Sequence, residues 1–383
     1  MDTVITTPVA QDLRPLSPSD VTVGVEEEFA LLAPGTGRVV CRAPDVVRDC
    51  SDAAGIVPEC MSYMIETRTP VCHTLREVAQ SLRTHRHHVA AVARGHGALM
   101  VASGVAPFGV PSPPAITRDP RYIELVQRFP LAMSTAGTCG CHVHVAVPNR
   151  QLGVEVLLRI RRWLPALIAL TANSPVWRGH DTRWASRRMV FISRWPTAAP
   201  APPVESAEAY DELLRSTVSS GRALDARSIY FLARLSPRYP TVEVRLADVS
   251  LSVDEAACYA GLVRALVATA LDEEAHGHPA AWVPQARLRE SCRLAALSGL
   301  SGSTTDPLTD ERLEPWEFID RMLEQVQTQL RAHGDDVTVV STLDRLRLAG
   351  GGAERQRRLF GSTVSPALFV QALAERSISG LEA

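Results

Sequence analysis

Alternation of apolar and polar residues marks three strands that carry charged side chains. Residues 23–29 set three glutamates among valines and a phenylalanine, residues 139–147 alternate valine with cysteine and histidine, and residues 239–248 alternate valine and leucine with Glu243 and Arg245. Successive side chains of a strand point to opposite faces. Each of these strands is therefore predicted to have one apolar and one polar face.

In the first of these strands, Glu26 and Glu28 share one face and Glu27 points to the other. Neighbouring carboxylates repel each other, and the repulsion costs free energy unless a cation lies between them. Taken alone, the pattern fits a solvated edge strand as well as a metal site. The repetition of polar pairs further along the chain favours the metal site.

A fourth polar segment, residues 58–70, contains Glu59 and then a predicted strand in which Met64, Glu66 and Arg68 share a face. Two apolar strands are expected at 38–41, after the turn at 34–37, and at 100–103.

Helical spacing of apolar residues dominates the rest of the chain. Together with the strands, the helices predict an α+β fold in which one face of an antiparallel sheet packs on helices and the other lines a polar cavity. The predicted helices cover residues 75–97, 153–172, from a capping box at 252–255 to about 276, 316–333, 339–348 and 366–376.

The segment 139–144, Cys-Gly-Cys-His-Val-His, resembles a zinc-binding motif in its letters. The strand period contradicts that interpretation, because Cys139 and Cys141 share one face while His142 and His144 share the other. We predict two buried thiols on the apolar face and two functional imidazoles on the polar face.

The composition is that of a globular protein: 46% of the 383 residues are hydrophobic and the net charge is -2. This charge argues against nucleic acid or a membrane surface as the main partner, and no apolar run has bilayer length.

Residues 1–20 are polar, contain three prolines and lack a signal-peptide pattern, so they are predicted to form a flexible arm. Residues 21–383 are predicted to form a single catalytic domain in a cytoplasmic protein, with its eight cysteines reduced.

Every basic residue is arginine, since the 40 residues counted as lysine or arginine include no lysine. This excludes a phosphate-binding lysine of the P-loop kind, a Schiff base and a lysine general base. Any bound phosphate must be held by arginine and metal ions. Carboxylate-rich ligation suits Mg²⁺ or Mn²⁺ rather than zinc or copper, and these ions with arginine are what phosphoryl transfer from ATP requires.

The strands at 24–29, 139–145 and 241–245 resemble those of the bacterial carboxylate–amine ligases, also called type 2 glutamate–cysteine ligases, in the glutamine-synthetase-like superfamily. The segments 178–182, 193–197 and 352–357 extend the resemblance. It implies a six-stranded antiparallel sheet that forms a funnel, helices on its outer face, ATP at one end and substrates at the other. The implied reaction joins a carboxylate to an amine through an acyl phosphate.

The same resemblance implies roles for individual residues. Arg245 would neutralise the transferring phosphoryl group and act with Glu243 in catalysis, and Arg245 and His144 would contact the nucleotide. Arg188 and Arg178 would bind substrate. The implied metal ligands are Glu26, Glu28, Glu59, Glu66, His142 and Glu243.

Three positions depart from the pattern of the family. Residues 104–107 lack an expected Thr-His, Phe231-Leu232 replaces an expected Trp-Asp, and Leu297 replaces an expected arginine. Loss of polar groups at a pocket changes which substrate fits, so the ligase reaction is expected to be kept, while the small-molecule acid and amine stay open between glutamate with cysteine and an altered pair. Two alternatives stay open, a binding or regulatory homologue and a guanidine phosphotransferase, and homo-oligomerisation is not decided by the sequence.

Overall fold

The computed structural model describes residues 21–50 and 54–380, and the predicted arm at 1–20 lies outside them. The strands of the described residues are β1 Val23–Leu32, β2 Ile56–Pro58, β3 Met64–Arg68, β4 Leu99–Val101, β5 Gly140–Ala146, β6 Val176–Trp177, β7 His180–Asp181, β8 Ala233–Leu235, β9 Thr241–Asp248, β10 Thr304–Thr305 and β11 Arg312–Leu313. The predicted polar strands pair in one antiparallel sheet with the order β2-β3-β1-β5-β9-β8, and β4 also pairs with β1. Two short ribbons, β6-β7 and β10-β11, lie apart from it.

The sheet has seven strands in the described residues, where the resemblance implied six. Strands β5 and β4 share one edge of β1, since β5 pairs along its first half and β4 along Ala30, Leu31 and Leu32. The predicted strand at 38–41 is wrong. Only Val39 forms a bridge, to Leu32, and the chain then leaves the sheet to begin a helix at Ala43.

Helices cover the apolar face of the sheet, as predicted. The helices of the described residues are α1 Ala43–Asp49, α2 Leu75–Gly95, α3 Pro120–Arg128, α4 Pro130–Met133, α5 Arg150–Ile160, α6 Leu164–Thr171, α7 Arg187–Ile192, α8 Ala207–Ser219, α9 Val253–Ala275, α10 Gln285–Ser298, α11 Pro315–Ala332, α12 Asp336–Ala349, α13 Gly352–Ser362 and α14 Pro366–Ile378. The single helix predicted at 153–172 is instead α5 and α6, separated by a 3-10 turn at Arg161–Trp163. Pro165 lies in the first turn of α6, where its missing N–H is tolerated.

The long helix α9 is the centre of the helical layer. Its capping box is present, with Ser252 accepting from the Glu255 amide and Glu255 accepting from the Ser252 amide. The helix is apolar on nearly all sides, which is typical of a helix buried among others. It packs on β5 and is surrounded by α2, α5, α11 and α12. Valines of the sheet, such as Val143 and Val244, complete this core.

A buried ion pair connects the first strand to the helical layer. Glu27, on the apolar face of β1, accepts from Arg86 of α2 with an Nε–Oε2 distance of 2.9 Å, and both side chains are fully buried. Arg86 also donates to the carbonyl oxygens of Ser377 at 2.8 Å and Ser250 at 2.9 Å. The pair therefore holds β1, α2 and the C-terminal helix α14 in one arrangement.

No helix within residues 21–50 and 54–380 combines the length and the apolar character that crossing a bilayer requires.

The first prediction concerns this ion pair. Replacing Arg86 by methionine leaves the Glu27 carboxylate buried without a cation, and we expect a loss of about 3–5 kcal/mol in unfolding free energy. Removing both charges in Glu27→Gln/Arg86→Met should destabilise less than the single Arg86→Met change. Urea unfolding followed by circular dichroism measures the loss.

The control is Arg83→Met, on the same helix but half-exposed, which should stay within about 0.5 kcal/mol of the parent protein. Equal effects of Arg83→Met and Arg86→Met would show that the pair does not anchor the strand.

Candidate active site

The polar face of the sheet lines a cavity with many charged side chains. Charged side chains from β1, β3, β5, β8 and β9 meet there, joined by residues of α3 and α7 and of the segments before β3, before β8 and between β8 and β9. Its acidic and imidazole members are Glu26, Glu28, Glu59, Glu66, His142, His144 and Glu243, and its cationic members are Arg68, Arg121, Arg188, Arg227, Arg234, Arg238 and Arg245.

One group of potential metal ligands spans three adjacent strands. Glu26 of β1, His142 of β5 and Glu243 of β9 each offer a ligand atom within 4.8 Å of the others. Glu26 lies directly opposite His142 in the pairing of β1 with β5. The His142 Nδ1 atom is 3.5 Å from Glu26 Oε2. Strand pairing thus brings together three residues that are far apart in the sequence.

A second group consists only of carboxylates. Glu28, Glu59 and Glu66 also offer ligand atoms within 4.8 Å of one another. Glu28 lies opposite Glu66 in the pairing of β1 with β3, and its Oε2 accepts from the Gly140 amide at 2.6 Å. All six residues that the sequence suggested as metal ligands therefore lie in these two groups of three.

The carboxylate group is electrostatically unbalanced. Burial raises the pKa of Glu28 to about 7, against the attraction of Arg188 and with the help of Glu66. Burial and the neighbouring Glu28 raise the pKa of Glu59 to about 7, and burial and Glu59 raise that of Glu66 to about 8. Three such groups cannot all ionise near neutral pH unless a cation joins them. A hard divalent cation with oxygen ligands fits this group.

The His142 imidazole has the neutral state that a metal ligand needs. Burial and the nearby Arg245 lower the pKa of His142 to about 3, so its ring is neutral. Its Nδ1 and the Nε2 of His144 are buried without a hydrogen-bond partner. His144 Nε2 lies 3.8 Å from carboxylate oxygens of both Glu26 and Glu243, while Nδ1 is 2.9 Å from the Thr241 hydroxyl. The first group therefore has an unpartnered imidazole nitrogen of its own, from His142, and a second one nearby, from His144.

Glu243 lies between two arginines. It accepts from Arg234 of β8, with an Nε–Oε2 distance of 2.8 Å, and from Arg245 of its own strand. Burial opposes ionisation, but Arg245 and Arg234 together hold the pKa of Glu243 well below its ordinary value. Arg234 also donates to the Ile229 carbonyl at 2.6 Å, which fixes its guanidinium.

The sequence analysis missed Arg234 as a site residue. The available signal in the sequence was an arginine between Ala233 and Leu235 in a short apolar segment. In the structure this segment is a strand, and its arginine lies opposite Glu243. Arg68 was placed on the correct face without a role. It contacts Glu66 and lies 3.5 Å from Glu26, so it bridges the two ligand groups.

The two predicted substrate arginines have different locations. Arg188 lines the cavity but is buried, and it donates to the carbonyl oxygens of Leu246 at 3.1 Å and Arg245 at 3.2 Å. Gly140 permits this approach, because a Cβ there would overlap the guanidinium. Arg178 does not line the cavity. It is exposed in the tight turn between β6 and β7, with a positive φ of 52°, so the structure does not support its predicted role.

The remaining sequence predictions also have definite outcomes. Cys139 and Cys141 are free and buried, as predicted. Of the three departures from the family pattern, only the segment with Leu232 reaches the cavity wall. The segment 104–107 and Leu297 lie elsewhere.

Comparison with known proteins agrees with the strand resemblance. Residues 22–366 match the family described as glutamate–cysteine ligase family 2. A relative from Rhodococcus jostii, provisionally named glutamate–cysteine ligase 2-1, is 39% identical over 361 residues, which are 94% of this chain and 97% of the relative. The chain belongs to glutamate–cysteine ligase family 2. It is therefore an ATP-dependent carboxylate–amine ligase, and family membership does not assign its substrate pair.

Solved structures with low sequence identity share the fold. A bifunctional glutathione synthetase from Pasteurella multocida superimposes with a TM-score of 0.65 at 16% identity, covering 94% of this chain and 52% of that one. A glutamate–cysteine ligase from Francisella tularensis in complex with AMP gives a TM-score of 0.62 at 12% identity, covering 95% of this chain and 93% of the other. The predicted α+β fold is thus confirmed.

The second prediction uses the raised pKa values of the carboxylate group. The folded chain keeps protons on Glu28, Glu59 and Glu66 at a pH where the unfolded chain, with carboxyl pKa values near 4.5, has lost them. Stability without metal should therefore fall as pH rises from about 5 to about 8. Mg²⁺ offsets the repulsion, so we expect it to raise Tm more at about pH 8.5 than at about pH 6.

Thermal unfolding with and without Mg²⁺ at both pH values tests this expectation. Glu66→Gln should reduce the effect of Mg²⁺ and make the metal-free protein less sensitive to high pH. The exposed change Glu212→Gln should alter neither. A Mg²⁺ effect that is equal at both pH values would contradict the electrostatic account of this group.

Proposed function

We propose that the cavity binds ATP with two Mg²⁺ or Mn²⁺ ions and joins a small-molecule carboxylate to a small-molecule amine. The observation that supports this most strongly is the pair of three-residue ligand groups on one sheet face, together with Arg245. Glu26, His142 and Glu243 would hold one ion, and Glu28, Glu59 and Glu66 the other. The metal ions would supply neutralisation of phosphate charge and a template for the reacting oxygens.

Two properties of the residues support this metal assignment. The unpartnered nitrogens of His142 and His144 are directed at the first group, and the second group needs a cation to ionise fully. Oxygen donors with one or two imidazoles suit Mg²⁺ or Mn²⁺. Because the chain has no lysine, arginine is the only side chain with a permanent positive charge that can also contact phosphate oxygens.

The first chemical step is attack by the substrate carboxylate on the γ-phosphorus of ATP. A new bond forms between a carboxylate oxygen and phosphorus, the bond from phosphorus to the bridging oxygen breaks, and ADP leaves. Arg245 is held beside Glu243 and presents donors to the developing charge on the phosphoryl oxygens. Arg234 stabilises Glu243 in its ionised form, and His144 provides a further polar contact for the nucleotide.

The second step is attack by the amine nitrogen on the carbonyl carbon of the acyl phosphate. A carbon–nitrogen bond forms, the carbon–oxygen bond to the phosphoryl group breaks, inorganic phosphate leaves, and the nitrogen loses a proton to solvent or to a neighbouring carboxylate. Arg188 is a candidate for orienting the substrate carboxylate through its position in the cavity wall. Its bonds to two backbone carbonyls leave fewer donors for that task.

The alternative functions receive less support. A binding or regulatory homologue has no need to retain five repelling carboxylates in a cavity, and a guanidine phosphotransferase would form a phosphorus–nitrogen bond instead of an amide. Mass spectrometry of the products distinguishes the amide from a phosphoguanidine. Cytoplasmic location, absence of nucleic acid and the extent of one catalytic domain over residues 21–383 stay predictions.

The third prediction separates the roles of Glu243 and Arg245. Glu243→Gln removes a ligand charge while keeping the shape, so it should weaken apparent Mg²⁺ affinity, with turnover partly restored at high Mg²⁺. Arg245→Lys removes a planar set of donors that acts in the transition state. It should lower turnover about a hundredfold, with no restoration by Mg²⁺.

Steady-state ADP release against Mg²⁺ concentration measures both effects, on protein whose fold is checked by circular dichroism. Arg215→Lys, on the exposed surface of α8, is the matched control. If the two site variants behave identically, the assignment of Arg245 to the phosphate end of the cavity is wrong.

A further inference from the structure

A bulge interrupts strand β9 beside the cavity. Cys141 of β5 lies opposite Ala247, and Val143 lies opposite Val244, so the pairing shifts by one residue between these two pairs. A single residue of β5 therefore faces two residues of β9. Bulges of this kind disrupt the hydrogen-bond ladder, re-aim a side chain and are frequent next to active sites. The two residues of β9 at the bulge are Arg245 and Leu246.

The bulge decides which side chains of β9 reach the cavity. In an uninterrupted strand, Ala247 would share a face with Arg245, because strand side chains alternate. Ala247 is instead buried in the core that contains Cys141 and Leu246. Arg245 is therefore the last residue of β9 that lines the cavity, and the direction of its side chain depends on the backbone of the bulge.

The guanidinium of Arg188 binds the backbone of this bulge. Its two terminal nitrogens donate to the carbonyl oxygen of Leu246 at 3.1 Å and to that of Arg245 at 3.2 Å. The planar guanidinium presents such donors side by side in a fixed geometry. Because Arg188 belongs to helix α7, it connects both residues of the bulge to a part of the structure outside the sheet.

Arg188 is itself held by the end of the same strand. Its amide donates to the Ser174 hydroxyl at 3.1 Å, and this hydroxyl donates to Asp248 Oδ2 at 2.6 Å. Ser186, which caps the start of α7, donates to Asp248 Oδ1 at 2.8 Å. Asp248 is buried and is the last residue of β9. Strand β9 thus fixes the start of the helix that carries Arg188, and Arg188 fixes the bulge of β9.

The same contacts leave Arg188 little freedom to bind a substrate. The residue is only 4% exposed, and two of its nitrogens donate to backbone carbonyls. Its third nitrogen, Nε, is buried by protein atoms and has no hydrogen-bond partner. The contacts of this guanidinium therefore favour a role that acts through the backbone of Arg245.

We propose that Arg188 is a positioning residue, which holds the bulge of β9 and thereby aims the Arg245 guanidinium at the transferring phosphoryl group. This inference rests on the proposed function, because the role of Arg245 in phosphoryl transfer belongs to it. Arg188→Lys keeps the charge but removes the planar pair of donors that reaches both carbonyl oxygens. Displacement of a group that acts in the transition state by about 1 Å can lower turnover a hundredfold.

Hydrogen–deuterium exchange of the full-length protein without ligands gives the first test. Amides of β9 should exchange about tenfold faster in Arg188→Lys than in the parent protein, because the strand opens locally more often. Amides of helix α2, the internal reference, should keep their rates within about twofold. Unchanged exchange in β9 shows that Arg188 does not hold the bulge. Equal acceleration in β9 and α2 shows a general loss of stability, and either result overturns the inference.

A second variant and a control make this test specific. Ser174→Ala removes the hydroxyl between Arg188 and Asp248, so it should also accelerate exchange in β9, and it serves if Arg188→Lys folds poorly by circular dichroism. Arg187→Lys is the control on the same helix, since the Arg187 guanidinium lies over the Phe191 ring, 4.9 Å from its centroid. It should leave exchange in β9 unchanged. If Ser174→Ala matches Arg187→Lys, the inference is wrong.

Turnover gives the second test and separates positioning from substrate binding. ADP release is measured with ATP, Mg²⁺ and acid–amine pairs from a panel that begins with L-glutamate and L-cysteine. Arg188→Lys should lower kcat about tenfold or more and keep KM for the acid within about twofold, because the loss affects the transition state. An increase in KM for the acid with unchanged kcat shows direct contact with the substrate and overturns the inference.

A double-mutant cycle with Arg245→Lys completes the test. Both changes remove the same action on the phosphoryl group, so adding Arg188→Lys to Arg245→Lys should lower turnover by less than about twofold. Additive losses show that the two residues act separately and overturn the inference. If the parent protein turns over no pair of the panel, the proposed function is wrong, and hydrogen exchange still decides whether Arg188 holds the bulge.

Discussion

The arrangement of the whole site depends on the alternation of three consecutive glutamates in β1. Glu26 and Glu28 project into the cavity and Glu27 projects into the core. A carboxylate in an apolar core is tolerated only with a cation and satisfied hydrogen bonds, and Arg86 provides the cation. Because Arg86 also binds backbone carbonyls near β9 and in α14, the strand that carries two candidate ligands has a fixed depth relative to the helices.

The two acidic groups on the polar face differ in how well arginines offset their burial. In the first group, Arg234 and Arg245 flank Glu243 and keep that carboxylate ionised in a buried place. In the second group, Arg68 pairs with Glu66 and Arg188 attracts Glu28, but burial outweighs them, so the pKa values of its carboxylates rise toward neutrality. The difference explains why the second group, more than the first, needs a divalent cation to become fully charged.

The lining of the cavity combines charged residues of the strands with apolar residues of the connecting segments. Arginines near Glu243 suit phosphate oxygens. Leu232, at a position where the family pattern predicts a polar residue, lines the same cavity. Chemistry shared by the family is therefore associated with the strands, and substrate choice with the segments that connect them.

The sequence by itself determined the face on which each strand residue lies, because side-chain alternation is a local property of the backbone. It thereby predicted the cavity side of Glu26, Glu28, His142, Glu243 and Arg245, the α+β class and most helices. Only the tertiary structure decided how the six candidate ligands divide into two groups, that Arg234 pairs with Glu243, that Arg86 pairs with Glu27, and that Arg178 lies outside the cavity. These features depend on the register between strands and on the packing of helices far apart in the sequence. No local pattern specifies that register, because it is set by the best burial of the whole apolar face.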